Sequence, residues 1–219
     1  MKRKNTIPFG EIVEGYAIPV LNEREIRAAA GILFLALFIA LTFILFKQDF
    51  LPVKYVIVVF LTDFIVRVLV SPQYSPSLII GRIIVSRQVP EYVAAPQKKF
   101  AWKMGLALSS IMFFLLVVLN AYSILTSIIC LVCLLFLFFE TAFGICLGCI
   151  FYRLFYKHAV LYCAGKICEP AKKQAIQKTS WRQLLILIGF VVFIALAVWL
   201  LNAYFHTAPR NLKVIIHSL

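Results

Sequence analysis

Long apolar runs separated by short, polar and mostly basic connections are the dominant pattern of this chain. Five runs have the length of a helix of about 20 residues, which is what crosses a bilayer. The second run keeps Asp63 and Arg67 inside its apolar stretch. The runs are residues 28–46, 53–70, 103–122, 123–156 and 184–205. We therefore predict an all-α, polytopic membrane helix bundle with five transmembrane helices.

Composition supports the membrane assignment. Hydrophobic residues make up 63% of the chain and charged residues 14%, with a mean hydropathy of +0.97. A soluble domain carries about 25% charged residues. The formal net charge of +13 does not indicate nucleic acid, because the Lys and Arg residues lie in the connections. In a membrane protein, Lys and Arg residues in the connections face anionic lipid headgroups.

The distribution of Lys and Arg over the connections predicts the sidedness. Five lie in residues 1–27, five in residues 72–103 and seven in residues 153–182. The alternate connections are poor in them, with two in residues 47–54, none near Asn120 and two after Phe205. Cytoplasmic connections carry the excess of Lys and Arg, so the N-terminus is expected in the cytoplasm and the C-terminus outside.

Five segments follow from this topology. They are a cytoplasmic N-terminal segment (1–27), a four-helix membrane module (28–157) with an interfacial helix near 77–87, a basic cytoplasmic loop (158–183), a fifth transmembrane helix (184–205) and an external tail (206–219).

Cys146 and Cys149 form a C-x-x-C pair in "FGICLGCIFY" (143–152), near the end of the fourth run. As one straight helix that run would extend about 50 Å, well beyond a hydrocarbon core of about 30 Å. It must tilt, protrude or break, and we expect a break at Gly144 or Gly148. A break at Gly144 would place Cys146 at the start of a helix, where N–H groups and the dipole stabilise a thiolate. A continuous helix would leave two packing residues on one face.

A second pair, Cys163 and Cys168, follows in the basic loop, so the full spacing is C-x2-C-x13-C-x4-C. One interpretation is a thiol relay, in which Cys146 attacks, Cys149 resolves and the second pair is another dithiol. Another is a four-thiolate zinc or iron–sulfur site built from the same four residues. In the third, the cysteines merely pack as small apolar residues. We favour the relay.

Charged residues inside the predicted crossings form a further candidate group. Asp63 and Arg67 are four residues apart and share a helix face, and Glu140 lies at a similar depth on the fourth run. We expect an Asp63–Arg67–Glu140 cluster beneath the C-x-x-C pair. In a functional role, a carboxylate of the cluster handles protons as the dithiol titrates, or Arg67 steadies a thiolate or a bound anion. In a structural role, the cluster locks two crossings together. Cys130 and Cys133, further from the pair, are expected only to pack.

Four ordered stretches carry a resemblance to a known family. They are "YAIPVLNEREIRAAAG" (16–31), "SPQYSPSLIIGRII" (71–84), "AAPQKKFAWKMG" (94–105) and "ETAFGICLGCIFY" (140–152). In this order they resemble a bacterial integral-membrane family of unknown function whose hallmark is a Phe-Gly-x-Cys-Leu-Gly-Cys motif.

The resemblance covers about residues 16–157 and implies a four-helix membrane module without an established reaction. Glu140, Gly144, Cys146 and Cys149 match the family motif, and the matches at Arg24, Arg27 and Pro96–Phe100 are expected to be structural. Some members of that family are joined to thioredoxin-like domains, which implies thiol chemistry with a partner of that kind.

The sequence thus predicts a multi-pass protein of the bacterial inner membrane that exchanges electrons or sulfur through Cys146 and Cys149 at the cytoplasmic face. If it is an enzyme, it is a thiol–disulfide oxidoreductase. The expected partners are a thioredoxin-like protein or other membrane subunits, and anionic lipid. No cofactor is expected, since no quinone, haem or flavin motif is visible. The main alternative is a non-enzymatic helical subunit that docks within a larger membrane assembly.

Overall fold

The structure is a computed structural model that describes residues 9–13, 18–155 and 180–211. Within these ranges the chain is mostly helical, which confirms the all-α class. The α-helices are α1 (Glu23–Lys47), α2 (Leu51–Ile65), α3 (Pro76–Ile84), α4 (Ala95–Phe113), α5 (Ile124–Phe138), α6 (Leu147–Phe155) and α7 (Trp181–Phe205). The strands are β1 (Val20–Asn22), β2 (Tyr92–Ala94), β3 (Ala121–Tyr122) and β4 (Arg210–Asn211).

Three of the long helices end in a five-residue π-helical turn. These turns are Val66–Val70 after α2, Phe114–Val118 after α4 and Phe139–Phe143 after α5. Each widens the last turn of its helix, so that the N–H after the turn bonds to the carbonyl five residues earlier.

Among the helices of the described ranges, four are long and apolar enough to cross a membrane. They are α1, α4 with its π turn, α5 with its π turn, and α7. Their mean hydropathies over the most apolar stretch are 2.8, 1.9, 2.5 and 3.2. This supports a membrane protein with several crossings.

The expected second crossing, residues 53–70, is formed by α2 and its π turn. It has 15 residues of α-helix followed by 5 of π-helix, but it carries Lys54, Asp63 and Arg67. These three charged residues distinguish α2 and its π turn from the four apolar helices. All three side chains turn inward, with 0%, 1% and 3% of their surface exposed. Four crossings are therefore supported by length and composition, and the fifth is not.

The core forms where α1 packs against α2, α3 and α5. The buried positions of α1 recur three or four residues apart, as on one face of a helix. They are Ile26, Ala29, Ala30, Leu33, Leu37 and Ala40. Ile57, Phe60 and Phe64 of α2 and Trp102 and Met112 of α4 belong to the same cluster. Helices α1, α2, α4 and α5 thus share one interior, whereas Phe205 at the end of α7 belongs to a separate small cluster with Val58 and Val117.

Short strands pair at the two ends of the bundle. At one end β1 pairs antiparallel with β2, and at the other β3 pairs parallel with β4. Helix α7 runs antiparallel to α2 between these ends. The Lys54 ammonium donates to the carbonyls of Phe205 and Thr207 at 3.2 and 2.7 Å, and the Gln183 amide donates to the carbonyl of Gln73 at 2.9 Å. Between these end contacts, none of the residues in the most apolar stretch of α7 is buried.

Two helices begin earlier than the apolar runs indicate. α1 begins at Glu23 rather than residue 28, because the Asn22 side chain accepts the N–H of Arg24 and caps it. α4 begins at Ala95 rather than residue 103, with proline in its first turn. Charged residues therefore enter the helical bundle at this end. The basic loop with Cys163 and Cys168 lies outside the described residues.

Candidate functional site

The fourth apolar run breaks at Gly144. This residue has φ 65° and ψ 19°, the left-handed conformation, and it ends the Phe139–Phe143 turn. The guanidinium group of Arg27 occupies the space that a Cβ at this position would take. Glycine is the residue that adopts this backbone without steric cost. The chain then restarts as α6.

Cys146 caps the N-terminus of α6. Its carbonyl oxygen accepts the N–H groups of Cys149 and Ile150 at 3.0 and 3.1 Å. Its Sγ lies 3.2 Å from the backbone nitrogen of Cys149, in the position of a capping acceptor. The two cysteines are joined as a disulfide with a Cα–Cα distance of 5.1 Å. The N-terminal N–H groups of α6 thus face the Cys146 sulfur, an arrangement that favours the thiolate form of a cysteine.

Close packing against α4 holds α6 in place. A Cβ at Gly148 would lie 2.6 Å from the Cβ of Ala101, so the two helices touch where Gly148 has no side chain. The rings of Phe100 and Tyr152 lie 5.4 Å apart on the same interface. Both cysteines are half-buried. The disulfide therefore sits on a fixed helix and is partly accessible.

Glu140 is bound by Lys98 rather than by Arg67. The Lys98 ammonium donates to Oε1 of Glu140 and lies 2.9 Å from Oε2 of Glu23. Lys98 is only 3% exposed. The sequence pattern did not indicate this lysine, because Lys98 lies outside the apolar runs, in the basic connection of residues 72–103. Only the early start of α4 brings it into the bundle.

Asp63 and Arg67 form a separate buried ion pair, with 2.7 Å between Arg67 Nε and Asp63 Oδ2. The Ser75 hydroxyl donates to Oδ1 at 2.7 Å, and Ser77 donates through its backbone N–H at 3.0 Å and its hydroxyl at 2.8 Å. These donors satisfy the carboxylate, which ties α2 to the start of α3. The expected group of three charged residues is thus divided in two.

One cavity connects these groups with the disulfide. It is partly open to the surroundings, and its lining is mostly apolar. The charged residues, the serine and the cysteines of the lining are Arg67, Glu140, Ser109, Cys130, Cys133 and Cys146. Cys130 and Cys133 are free thiols. They therefore face the same cavity as Cys146, which the sequence did not indicate.

A third charged group fastens the N-terminal segment to the bundle. Arg82 lies 3.1 Å from Glu25 and 3.2 Å from Glu11, and Arg24 lies 2.7 Å from Glu91. Burial raises the pKa of the Glu11 carboxyl, while the Arg82 guanidinium opposes this rise. These pairs join α1 to α3 and to the segment before β2, which agrees with a structural role for Arg24.

In the described parts of the chain, no cluster of three or more His, Cys, Asp or Glu residues could hold a metal ion. The four-thiolate alternative also needs Cys163 and Cys168, which lie outside those parts.

Comparison with known families places the disulfide, the cavity and the two buried ion groups in one domain. Residues 21–157 match the family model described as a domain of unknown function, DUF4395. The chain belongs to the DUF4395 family. The DUF4395 domain runs from β1 through α6 and contains the disulfide, both buried ion groups and the cavity, whereas α7 lies beyond it. No curated protein and no solved structure matches the chain.

Proposed function

We propose that this protein is a membrane thiol–disulfide component that exchanges electrons with a thioredoxin-like partner through Cys146 and Cys149. The observation that carries the proposal is the position of Cys146 as the N-cap of α6 with its sulfur bonded to Cys149. Helix N-termini stabilise the thiolate, which is the nucleophile in exchange. A half-buried pair in this position can pass between disulfide and dithiol without unfolding the bundle.

The reaction is a pair of displacements at sulfur. A partner thiolate attacks one sulfur of the Cys146–Cys149 disulfide, forms a mixed disulfide and releases the other cysteine as a thiolate. The partner's second thiolate then attacks the partner's first sulfur in the mixed disulfide. This displacement closes the partner's disulfide and releases the remaining cysteine of the Cys146–Cys149 pair as a thiolate. Two electrons pass from the partner to the pair, and the reverse sequence begins with attack by Cys146.

We also propose that the disulfide lies at the cytoplasmic face of a bacterial inner membrane, in a bundle of five crossings. The segments rich in Lys and Arg, residues 1–27, 72–103 and 153–182, fit the anionic lipid of a cytoplasmic leaflet. The fifth crossing is α2 with its π turn, which runs beside α7 between the contacts of Lys54 and Gln183. A reporter fusion tests this topology. A reporter enzyme that is active only outside the cytoplasm should be active when it is fused to the C-terminus.

Glu140 is our candidate proton acceptor for the dithiol, because it lines the cavity together with Cys146. Glu23 is a matched control, since Lys98 binds it as well but it does not line the cavity. We expect Glu140→Gln, and not Glu23→Gln, to change the pH dependence of thiol exchange, measured with a thioredoxin probe. Equal pH profiles for both variants would leave Glu140 as a structural member of the ion group.

Trapping of the reactive thiol tests the central proposal. In a variant that retains only Cys146 and Cys149, we expect both sulfurs to pass between alkylatable and protected forms as a redox buffer is varied in isolated membranes. The further replacement Cys149→Ser should accumulate a mixed disulfide between Cys146 and a thioredoxin that lacks its resolving cysteine. A variant that retains only Cys133 is the control and should form none. The proposal is wrong if Cys146 and Cys149 stay unreactive under every oxidant.

In the relay, Cys163 and Cys168 would act as a second dithiol that passes electrons to or from the first. Restoring this pair to the two-cysteine variant should then speed exchange with the thioredoxin probe. The metal alternative predicts instead that the full-length protein purifies with zinc or iron.

The second candidate function is a non-enzymatic subunit of a larger membrane assembly. The exposed apolar surface of α7 favours it, because a helix with no buried residue in its apolar stretch offers a whole side to another membrane helix. Co-purification of a membrane partner that is lost when α7 is deleted, with no thiol reactivity, would establish this function instead.

A further inference from the structure

The cavity beneath the disulfide extends into the helical bundle and is partly open to the surroundings. It is lined by residues of α1, α2, α4, α5 and α6, and it reaches from Leu37 and Met112 to Cys146 and Gly148. Leu37 and Met112 lie at the same end of the cavity as Cys130, away from the disulfide. The cavity therefore extends from the redox pair into the apolar interior of the bundle.

The lining combines apolar side chains with aromatic rings and one guanidinium group. Phe60, Phe64, Trp102 and Phe136 contribute rings, and Arg67 lies 5.1 and 5.2 Å from the ring centres of Phe64 and Trp102. Arg67 uses Nε and Nη2 to bind Asp63, Ser75 and Ser77. Its Nη1 makes no hydrogen bond within the part of the chain that the structure describes. An apolar pocket with a few polar groups is typical of a small-molecule site.

From these features we infer that the cavity binds the ring of a lipid-soluble quinone, which takes electrons from the Cys146–Cys149 dithiol. A quinone ring is planar and apolar and stacks on aromatic side chains, and its carbonyl oxygen can accept a hydrogen bond from Arg67. It enters from the membrane, the solvent that surrounds the bundle. This inference rests on the proposed thiol function, for which it supplies the electron acceptor.

The structure favours a quinone over direct electron transfer to Cys130 and Cys133. Thiol–disulfide exchange needs contact between sulfur atoms, and Cys133 lies thirteen residues before Cys146 along a largely helical segment, about 20 Å by the helical rise. Both thiols instead face the same empty space as Cys146. An acyl chain could fill that space, but it would neither accept electrons nor hydrogen-bond to Arg67.

The reaction balances with the quinone as the oxidant. The Cys146 thiolate adds to a ring carbon and forms a C–S bond, and a quinone oxygen takes up one proton. The Cys149 thiolate then attacks the Cys146 sulfur, so that the S–S bond forms, the C–S bond breaks and the electron pair stays on the ring. The second oxygen takes up a proton and the quinol leaves. Two thiols have lost two electrons and two protons, and the quinone has gained both.

Two neighbouring serines on α4 provide a matched pair of variants. Ser109 lines the cavity and is buried, whereas Ser110 is exposed and does not line it. Both hydroxyls donate to the carbonyl of Leu106. Ser109→Phe therefore places a ring in the cavity, and Ser110→Phe places the same ring on the outer surface. Val56→Phe, at a half-buried lining position of α2, is the second blocking variant.

Fluorescence measures quinone binding without any thiol reaction. Trp181 and Trp199 are 70% and 77% exposed, so replacing both by Phe leaves Trp102, which lines the cavity, as the single tryptophan. With Cys146 and Cys149 also replaced by Ser, we expect decylubiquinone to quench Trp102 saturably. Ser110→Phe should preserve this quenching, and Ser109→Phe and Val56→Phe should abolish it. Quenching that does not saturate, or that is unchanged in both blocking variants, would overturn the inference.

Reoxidation of the reduced pair measures the electron transfer. Without oxygen, decylubiquinone should convert the Cys146/Cys149 dithiol to the disulfide, with one quinol formed per disulfide. Both blocking variants should slow this step at least about tenfold, since loss of positioning costs that much or more. If the thioredoxin probe exchanges normally but quinone neither binds nor oxidises, the quinone inference alone fails. If quinone quenches Trp102 but the cysteines never exchange, the thiol function fails and the binding site stands.

Discussion

Replacing Gly144 by alanine tests whether the helix break at this residue stabilises the disulfide form relative to the dithiol form. In the disulfide form the bond between Cys146 and Cys149 holds the chain in the broken conformation, with residue 144 left-handed at φ 65°. In the dithiol form no bond holds the two sulfurs together. Residue 144 can then adopt right-handed helical backbone, which alanine prefers. Alanine should therefore penalise the disulfide form more than the dithiol form.

The size of this effect follows from the backbone and from the neighbour at this site. Left-handed backbone costs a residue with a Cβ about 1–2 kcal/mol. The new methyl group would also displace the Arg27 guanidinium. Displacing the guanidinium adds little to the free-energy cost of the substitution, because the Arg27 side chain is 40% exposed and its end can move outward. A difference of about 1–2 kcal/mol changes the disulfide-to-dithiol ratio about 5- to 30-fold. We expect Gly144→Ala to shift the equilibrium towards the dithiol by this factor.

The assay equilibrates the variant that retains only Cys146 and Cys149 with glutathione buffers and counts free thiols by alkylation. Gly189→Ala is the control, because Gly189 lies within α7 with no atom near the added methyl group. It should leave the ratio unchanged. Adding Arg27→Ala to Gly144→Ala separates the steric part from the backbone part. A ratio that stays within about twofold of the parent, or moves towards the disulfide, would refute the role assigned to Gly144.

Two further substitutions test the surroundings of the disulfide by denaturant unfolding in detergent. Lys98→Met leaves buried carboxylates without their cation and should lower the free energy of unfolding by about 3–5 kcal/mol, whereas Lys103→Met, at an exposed position, should change it by less than about 0.5 kcal/mol. Equal effects would contradict the buried ion group. Gly148→Ala should lower it by about 1–3 kcal/mol through overpacking, and the added change Ala101→Gly should restore most of the loss. If the changes in the free energy of unfolding of the two single variants simply added up in the double variant, Gly148 and Ala101 would not be in contact.

Local patterns in the sequence predicted the elements around the site more reliably than their partners. The apolar run that contains the C-x-x-C pair is too long for one straight crossing, and Gly144 is where it breaks. A glycine next to a required break is a local signal, since few other residues tolerate left-handed backbone. The position of Cys146 at a helix N-terminus follows from that break alone.

The partner of Glu140 was not predictable in the same way. Arg67 was the expected partner because both residues lie inside apolar runs at similar depth. Lys98 lies in a polar stretch, and only the start of α4 at Ala95 turns it into the bundle. An ion pair between distant segments depends on how helices are placed and rotated, and a sequence read segment by segment contains no direct information on either.

The sequence by itself determined that this is a helical membrane protein, because side-chain hydropathy and helix length are local properties. It also indicated where the long fourth segment breaks. Only the tertiary structure decided which side chains meet across the bundle. It paired Lys98 with Glu23 and Glu140, enclosed Asp63 and Arg67 with two serines, and left a cavity next to Cys146. A cavity is space that packed helices leave between them, so it exists only once they are assembled.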